Sequence, residues 1–451
     1  MEQSQALQLA LGAAEFIERQ RVEDSVLWRR TDEPDAPIDL GVYHGAAGVS
    51  VFFLELAAAG ASPTFTERAI EAGRVVADRV MAKERSSVSF ATGWPGYSFA
   101  LLALAEAASQ EADRRLFTTA ASHCLDRLWN QSTRFEHGVG WIEPMPFSDI
   151  TGHSGEREIF DLSVGAAGAG LALLDAYQRG LRTVDIERVV NVADRLLDVG
   201  EATPDGTRWG LMADMPFAFS APNFAHGSAG VGYFFARLFE QTGEPRFLAA
   251  AQSAAHYTMS RASAVGDGCL VCHTEEAKPP SFYLGSCHGP AGTDRLMVLL
   301  GRLTDDPIWA AHSASMLNGL RALGAPQTRS WGWWNNYGQC CGDAGLGDYA
   351  LSMWELTRND AYLQLAHDCA EVIAQTGVSM GSVNGSADAV CWPMAEHRAR
   401  PQFVQSQTGY MQGAAGIGSF LVHLATIDSD QAARIRFPDE LLTGVELPLA
   451  E

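Results

Sequence analysis

Residues 285–292 read Gly-Ser-Cys-His-Gly-Pro-Ala-Gly, and residues 339–345 read Gln-Cys-Cys-Gly-Asp-Ala-Gly. In both stretches, residue types that bind soft metals stand immediately before a Gly-x-x-Gly, and an apolar run follows. The first glycines of the two pairs are Gly289 and Gly342. The two stretches are copies of one repeating unit. The repeat predicts the fold, and the residues before its glycines predict a metal-binding site.

Aligning the two stretches on their first glycines brings ligand-type residues into register. Cys287 falls opposite Cys340, and His288 falls opposite Cys341. If the two stretches belong to neighbouring copies of one structural unit, these four side chains face the same place. Thiolates and imidazoles are usual ligands of zinc, so the alignment predicts a zinc site.

Gly-x-x-Gly followed by a run rich in Ala, Leu, Val and Phe occurs seven times. One copy would carry little weight in a chain with 44 glycines, but seven copies indicate an internal repeat. The glycine pairs are Gly45/Gly48, Gly93/Gly96, Gly165/Gly168, Gly227/Gly230, Gly289/Gly292, Gly342/Gly345 and Gly413/Gly416.

A second set of helices is predicted between the glycine motifs, with one more ahead of the first motif. Each segment has Ala, Leu or Val at three- and four-residue spacing on one face and polar residues on the other, the pattern of an amphipathic helix. The segments are Gln5–Arg19, Thr66–Met81, Asp113–Leu128, Asp185–Leu197, Arg246–Ser260, Ile308–Leu323 and Asp360–Thr376.

The two sets of helices differ in how much of their surface must be buried. The helices after the glycines are apolar nearly all round and are expected inside, whereas the amphipathic ones are expected outside. A closed ring of helical hairpins buries the inner helices and exposes the polar faces of the outer ones. Because the ring closes, no hairpin at the end of the array leaves its hydrophobic face uncovered. We therefore predict an all-α fold, an (α/α)7 toroid of seven inner and seven outer helices, forming one domain over residues 1–451. The inner helix starts are expected to direct unbonded N–H groups at the ring centre.

Composition limits the classes of partner. The formal net charge is −22, with 54 acidic against 32 basic residues, which disfavours nucleic acid and anionic membranes. No apolar stretch reaches the eighteen or so residues that span a bilayer, and the N-terminus lacks the features of a signal peptide. Eight irregularly spaced cysteines fit reduced thiols or metal ligands better than a disulfide framework. We predict a cytoplasmic protein.

The residues directly before the first glycines form a second ring of equivalent positions. Polar and ligand-type side chains are enriched there, which predicts a lined pocket, although a buried, hydrogen-bonded ring is the alternative for any single histidine. The residues are His44, Thr92, Val164, His226, His288, Cys341 and Gln412.

Cys287, Cys340 and Cys341 are the strongest ligand candidates. Three cysteines, or two cysteines and a histidine, leave a fourth position of tetrahedral zinc open for catalysis. The alternative is that they are small buried hydrophobic residues. A Cys-Cys pair binds one metal only with some backbone distortion, which Gly342 helps to relieve.

Cys269-Leu-Val-Cys272-His273 matches the string of a c-type haem attachment site. Haem attachment takes place outside the cytoplasm, so we expect no haem here. A second zinc site is an alternative, and an ordinary loop is the preferred interpretation.

The order of the glycine motifs, with Cys-His-Gly at 287–289 and Cys-Cys-Gly at 340–342, resembles the lanthionine synthetase C family. The resemblance covers essentially the whole chain, and the spacing of the cysteine motifs is its specific part. It implies a toroid of seven inner and seven outer helices. It also implies a cyclase that joins a peptide cysteine to dehydroalanine or dehydrobutyrine through a thioether, with zinc holding the cysteine as a thiolate.

Motif by motif, the resemblance implies Cys287, Cys340 and Cys341 as the zinc ligands. Most relatives have histidine at the third ligand position, and a three-cysteine variant occurs in some lanthipeptide synthetases. His288 is the competing ligand, since it occupies the place of Cys341 one repeat earlier.

The family's catalytic histidine falls on His226 and its aspartate on Asp161. A Michael addition needs a base for the thiol and an acid for the resulting enolate, and histidine suits either task. Asp161 would orient or charge-balance His226, or would instead cap a helix. Tyr283 stands where relatives have arginine and His288 where they have tyrosine, so His288 or Lys278 becomes the candidate for stabilising or protonating the enolate.

This interpretation implies a dehydrated precursor peptide as substrate and a separate dehydratase or kinase as partner, within the biosynthesis of ribosomal peptides such as antibiotics. One alternative is a non-catalytic zinc protein that binds peptides or modifying enzymes in a biosynthetic complex. Another is a helical toroid that acts on glycans, although such enzymes usually depend on paired carboxylates and need no cysteine set.

Overall fold

The inner helices begin at the predicted glycines. The computed structural model describes residues 1–441 except 23, 147, 182, 217–218, 383–386 and 430–432. Within these residues, the first glycine of each motif is the N-cap of a helix. These helices are α2 (Ala46–Ala58), α4 (Trp94–Ala107), α7 (Ala166–Gln178), α9 (Ser228–Thr242), α11 (Pro290–Thr304), α13 (Asp343–Thr357) and α15 (Ala414–Ala425).

The outer helices match the predicted amphipathic segments to within three residues at each end. The largest difference is at the start of the second one, which begins at Pro63 because Ser62 caps it by accepting the N–H of Thr64. They are α1 (Gln3–Arg19), α3 (Pro63–Met81), α5 (Glu111–Asn130), α8 (Ile186–Val199), α10 (Pro245–Ser260), α12 (Pro307–Ala322) and α14 (Asp360–Thr376).

The inner helices form a closed ring. Each packs against the next in chain order, and α15 packs against α2. Each inner helix also packs against the outer helix that follows it, except α15, whose outer partner is α1 at the other end of the chain. Contact between the two chain ends therefore closes the ring. The predicted (α/α)7 toroid is confirmed.

Inner and outer helices differ in how much of their surface is buried. In α2 every residue from Ala46 to Leu56 is buried, whereas α3 buries only residues 69, 72, 73, 76, 77 and 80. The second pattern is one stripe at three- and four-residue spacing, as expected for a helix with one face in solvent.

Short antiparallel ribbons, which were not predicted, lie in the connections together with one short helix, α6 (Ser148–Thr151). Among the described residues there are seven ribbons, each of two strands. The pairs are β1 (Arg21–Val22) with β2 (Leu27–Trp28), β3 (Thr133–Arg134) with β4 (Val139–Gly140), β5 (Ile142–Pro144) with β6 (Glu156–Glu158), β7 (Glu201–Thr203) with β8 (Gly206–Arg208), β9 (Ala262–Val265) with β10 (Gly268–Val271), β11 (Val378–Ser379) with β12 (Val390–Cys391), and β13 (Pro393–Met394) with β14 (Gln405–Ser406).

The second glycine of each motif is required by sterics. A Cβ atom on Gly345 would lie 1.9 Å from the carbonyl oxygen of Gln339, six residues earlier. The same contact recurs at the other six second glycines, at 1.7–2.2 Å. The turn before each inner helix therefore folds so closely over the first helical turn that only glycine fits.

The same turns accept hydrogen bonds from the first N–H groups of the inner helices. Ala46 donates its N–H to the carbonyl of Asp39 (3.0 Å), and Ala414 donates to Gln407 (2.8 Å). The expectation that unbonded N–H groups point at the ring centre is wrong, because the folded-back turn supplies carbonyls to the first helical N–H groups.

Residues 433–441 pack against the inner helices within the ring. Arg237 on α9 donates to the carbonyl of Pro438 (3.1 Å), and Arg295 on α11 pairs with Asp439 (2.9 Å). A cavity of about 120 Å³ separates this segment from the turns that precede the inner helices. Among the residues that the structure describes, no helix combines the length and apolarity needed to cross a membrane.

Candidate metal centre

The seven turns are joined in a ring by hydrogen bonds. In each turn, the residue that takes part lies two positions before the first glycine. Across the described turns, six of these residues donate an N–H to the carbonyl of the next, at 2.8–3.1 Å. The remaining link runs through Ser89, whose hydroxyl accepts from Ala91 and donates to the carbonyl of Ser163, both at 3.1 Å. The ring residues are Tyr43, Ala91, Ser163, Ala225, Cys287, Cys340 and Met411.

This ring explains why the two cysteine motifs meet. Cys287 donates its N–H to the carbonyl of Cys340 (3.1 Å), so equivalent positions of neighbouring repeats are held side by side. The Sγ atom of Cys341 lies 3.5 Å from that of Cys287 and 3.4 Å from that of Cys340. All three sulfurs lie within 4.8 Å of one another. We refer to Cys287, Cys340 and Cys341 as the cysteine cluster.

The spacing of the cysteine cluster suits one tetrahedral metal ion. Zinc–sulfur bonds of 2.3 Å at tetrahedral angles separate the sulfurs by about 3.8 Å, close to the two short separations here. Disulfide bonds need sulfurs near 2.0 Å, and all three cysteines are free thiols. The three residues can therefore hold one metal ion and leave a fourth position open.

The thiols of the cysteine cluster do not ionise alike. The pKa of Cys340 lies well below its usual value, because Cys287, Cys341 and Tyr43 stabilise its thiolate by hydrogen bonding. The pKa of Cys287 and of Cys341 is raised, chiefly because each donates its proton to a neighbour in the cluster. One thiolate thus forms easily, whereas three in one place need a cation.

Polar side chains hold the cluster from the side of the last repeat. Gln412 donates its Nε2 to the hydroxyl of Tyr43 (3.0 Å) and, more distantly, to the Sγ of Cys341 (3.8 Å). Asn336 donates to the other end of the Gln412 amide (2.7 Å). The amide orientation is therefore fixed, and its N–H groups face the sulfur and the phenol.

His226 and Asp161 form a close pair. The Nδ1 of His226 lies 2.5 Å from the Oδ2 of Asp161, which is fully buried. The Oδ1 of Asp161 accepts the N–H of Val164 (2.7 Å) in the turn before α7. One oxygen of Asp161 thus accepts from a turn and the other contacts a histidine, while Gly165 is the N-cap of α7 and the helix has no side-chain cap.

His288 lies beside His226, with ring centroids 5.2 Å apart. It is buried, and its Nδ1 has no hydrogen-bond partner in the described part of the chain. Burial, and then the neighbouring His273 and His226, keep its pKa well below the usual value. His288 is not among the residues whose ligand atoms converge with the cysteine cluster, so it lies next to the candidate ligands rather than among them.

A second histidine–carboxylate pair lies in the first repeat. His44 points its Nε2 at Glu396 (3.4 Å), and Arg30 also pairs with Glu396 (2.8 Å). Glu396 comes from the connection between β13 and β14, in the long interval between the sixth and seventh glycine motifs.

The remaining sequence candidates lie apart from the cysteine cluster. Cys269 is part of strand β10 rather than of a loop, and Cys272 follows that strand directly. Neither belongs to a group of converging ligand atoms among the described residues. Lys278 is exposed in the connection to α11.

Sequence reasoning missed four residues near the cluster: Tyr43, Trp331, Glu396 and Arg398. Tyr43 occupies the same place in the first repeat as Cys287 and Cys340, so repeat alignment extended by one position would have found it. The other three lie in connections that have no counterpart in other repeats, and no local pattern marks them.

Comparisons with known proteins agree with this architecture. A family model described as lanthionine synthetase C-like protein matches residues 36–441. Among solved structures, the chain is similar to nisin cyclase, with a TM-score of 0.60 and 15% identity over 93% of each chain. It is more distantly similar to a GH76 α-mannanase from Bacteroides thetaiotaomicron, with a TM-score of 0.46 and 11% identity over 94% of this chain and 96% of that chain. Among curated proteins, none gives a significant match.

Proposed function

The chain belongs to the lanthionine synthetase C-like family, and from that premise we propose that it is a zinc-dependent cyclase. It forms lanthionine-type thioether rings in a ribosomal precursor peptide. The observation that carries this proposal is the cysteine cluster, whose sulfurs lie within 4.8 Å of one another, next to a histidine paired with a buried carboxylate.

The reaction is an isomerisation. The sulfur of the peptide cysteine bonds to the β-carbon of a dehydroalanine or dehydrobutyrine, and the electron pair of the C=C bond moves through the α-carbon onto the adjacent carbonyl oxygen. A proton then reaches the α-carbon and the carbonyl reforms. The thiol loses one proton and the α-carbon gains one, so no oxidant or reductant is needed.

Cys287, Cys340 and Cys341 are the proposed zinc ligands. Bound zinc would lower the pKa of the substrate thiol and so supply a thiolate at neutral pH. With three sulfur ligands, zinc would have one further ligand position for that thiol. The convergence of the three sulfurs, within 4.8 Å of one another, supports this assignment.

His226 is the proposed proton-transfer residue. With Nδ1 donating to Asp161, Nε2 is the nitrogen left to exchange a proton: unprotonated, it can take the thiol proton, and once protonated it can supply one to the α-carbon. His288 lies against the same ring and is the second candidate for this proton transfer.

The substrate must already be dehydrated, so we propose a separate dehydratase or kinase as a partner. We further propose that the chain is one domain, since a single core cluster extends from Ala6 on α1 to Leu441. All eight cysteines are unpaired, which supports a reducing compartment such as the cytoplasm.

The test uses a synthetic peptide that contains one dehydroalanine and one cysteine. Cyclisation leaves the mass unchanged but removes the free thiol, so N-ethylmaleimide followed by mass spectrometry separates cyclised from linear peptide. We expect thiol loss with the zinc-loaded protein and none with a control peptide that has alanine in place of dehydroalanine.

The alternatives give other results in the same experiment. Peptide binding without thiol loss would favour the non-catalytic scaffold. Purified protein without zinc, or full activity after complete chelation, would contradict the metal assignment.

A further inference from the structure

Arg398 lies on the connection between β13 and β14, close to His273, whose ring contacts that of His288. Its guanidinium lies 3.4 Å from the ring centroid of Trp331, a stacking contact that holds the planar group in one orientation. The Trp331 ring lies 5.3 Å from that of Tyr283. Arg398 is therefore positioned by aromatic side chains rather than by an acid.

The absence of an acidic partner sets Arg398 apart. The other arginines near the turns, Arg30, Arg295 and Arg329, each pair with a carboxylate at 2.7–2.9 Å. Within the described residues, no carboxylate lies within ion-pair distance of Arg398, and its buried Nε has no hydrogen-bond partner. A half-buried guanidinium with an unsatisfied N–H is suited to receive an anion.

Aromatic contacts link Arg398 to the proton-transfer residues. His273 stacks on Tyr283 with ring centroids 3.9 Å apart and meets the edge of His288 at 4.6 Å. The pKa of His273 is lowered to about 4, first by burial and then by the charges of Arg398 and His226. Arg398 therefore lies close to an imidazole that contacts His288 directly.

The chemistry requires a positive group at this place. Addition of the thiolate moves an electron pair onto the carbonyl oxygen of the acceptor residue, which becomes an enolate oxygen. The other groups described around the cysteine cluster are thiols, a carboxylate and imidazoles, none of which carries a permanent positive charge, whereas a guanidinium does. A guanidinium that donates N–H groups to the enolate oxygen supplies the missing stabilisation.

We propose that Arg398, held by Trp331 and Tyr283, binds the acceptor carbonyl oxygen of the peptide and stabilises it as an enolate. The inference rests on the proposed cyclase function and extends it, because it names a residue from outside the repeat that carries the oxyanion charge. The substrate feature that it recognises is the acyl oxygen adjacent to the dehydroamino acid.

The test compares Arg398→Ala and Arg398→Lys with a matched control, Arg358→Ala. Arg358 also stacks on a tryptophan, with its guanidinium 4.5 Å from the centroid of Trp354, but it lies at the end of α13 away from the turns. With the dehydroalanine–cysteine peptide, we expect Arg398→Ala to lose about a hundred- to a thousandfold in kcat. KM should change little, and zinc should be retained. Arg398→Lys should lose less, because the charge stays while the planar fork is lost.

Added guanidinium ion, below concentrations that unfold the protein, should restore part of the activity of Arg398→Ala and leave Arg358→Ala unchanged. Unchanged turnover in Arg398→Ala would overturn this inference and leave the cyclase proposal standing. Lost turnover with lost zinc and no rescue would also overturn it, since the role would then be structural. An inactive native protein would overturn the cyclase proposal and this inference together.

Discussion

Two histidines in equivalent positions of the ring of turns each meet a carboxylate, but the two pairs differ in kind. His226 precedes the first glycine of the fourth motif and His44 that of the first. The side chain of His226 is 14% exposed and that of His44 is 12% exposed. Position in the repeat and burial are therefore shared, and only the partners differ.

Asp161 serves His226 as a dedicated partner. It comes from the turn of the neighbouring repeat, contacts Nδ1 at 2.5 Å and has its other oxygen held by a backbone N–H. Among the described residues, His226 is the one basic residue that forms an ion pair with this carboxylate. The charge of Asp161 can therefore stabilise His226 when it takes up a proton.

Glu396 serves His44 as one partner among several. It contacts Nε2 at 3.4 Å and also receives Arg30 (2.8 Å) and Gln407 (3.0 Å). Its charge is already balanced by arginine, and the nitrogen of His44 that would exchange a proton faces the carboxylate. We therefore propose a proton-transfer role for His226 and a structural role for His44, although both occupy the same ring position.

The largest expected effect comes from removing the cysteine cluster that both pairs flank. We expect Cys287→Ala, Cys340→Ala and Cys341→Ala each to lose most bound zinc, because two sulfurs no longer define a tetrahedral site. Cyclisation should fall to the rate of the uncatalysed peptide. Zinc stoichiometry by elemental analysis and thiol consumption are the two measurements.

His288→Ala is the control for the cysteine variants, and it should retain nearly all zinc. His288 lies in register with Cys341 but outside the converging ligand group. If Cys341→Ala kept its zinc while His288→Ala lost it, the three-cysteine assignment would be replaced by a Cys-His-Cys site.

The next effect tests the two histidine pairs against each other. We expect His226→Ala to keep zinc and fold while losing about a hundred- to ten-thousandfold in rate, the usual contribution of a positioned acid or base. His44→Ala, the matched change at the same ring position, should lose much less. Steady-state kinetics and zinc content on both variants make the comparison. Equal losses would contradict the distinction between the pairs.

A smaller effect is expected from the carboxylate of the active pair. Asp161→Asn keeps an oxygen for the N–H of Val164 but removes the charge that orients and stabilises His226. We expect kcat to fall, but by less than for His226→Ala, with thermal stability nearly unchanged. A large drop in melting temperature without a kinetic loss would assign Asp161 to the turn alone.

The repeat pattern predicted most of the fold because the same steric requirement occurs seven times. Each second glycine marks a turn that only glycine permits, and the helix that follows has no polar face. The ribbons escaped prediction because strands such as β1 (Arg21–Val22) are too short to show the alternation that identifies a strand.

The site was predictable only as far as the repeats extend. Alignment of equivalent turns brought Cys287 and Cys340 together, and the backbone ring shows the physical reason. Glu396 and Arg398 lie in a connection with no counterpart in other repeats, so their approach to His44 and Trp331 depends on tertiary packing that no local pattern encodes.

The smallest expected effect is on the free energy of unfolding, through the pair of His44 and Glu396. Burial alone would raise the pKa of Glu396, but hydrogen bonding to His44 and the charges of His44 and Arg30 lower it from 4.5 to about 2. A depressed acid stabilises the fold above its unfolded pKa, and this contribution is lost as the pH falls from about 4.5 towards 2. The shift corresponds to at most roughly 3 kcal/mol.

Glu396→Gln should therefore lower the urea midpoint at pH 7, and the difference between its urea midpoint and that of the native protein should shrink below pH 4.5. Glu111→Gln, on an exposed ion pair with Arg115, is the control and should change little at either pH. A Glu396→Gln difference that stayed constant down to pH 3 would show that packing, rather than charge, sets its contribution.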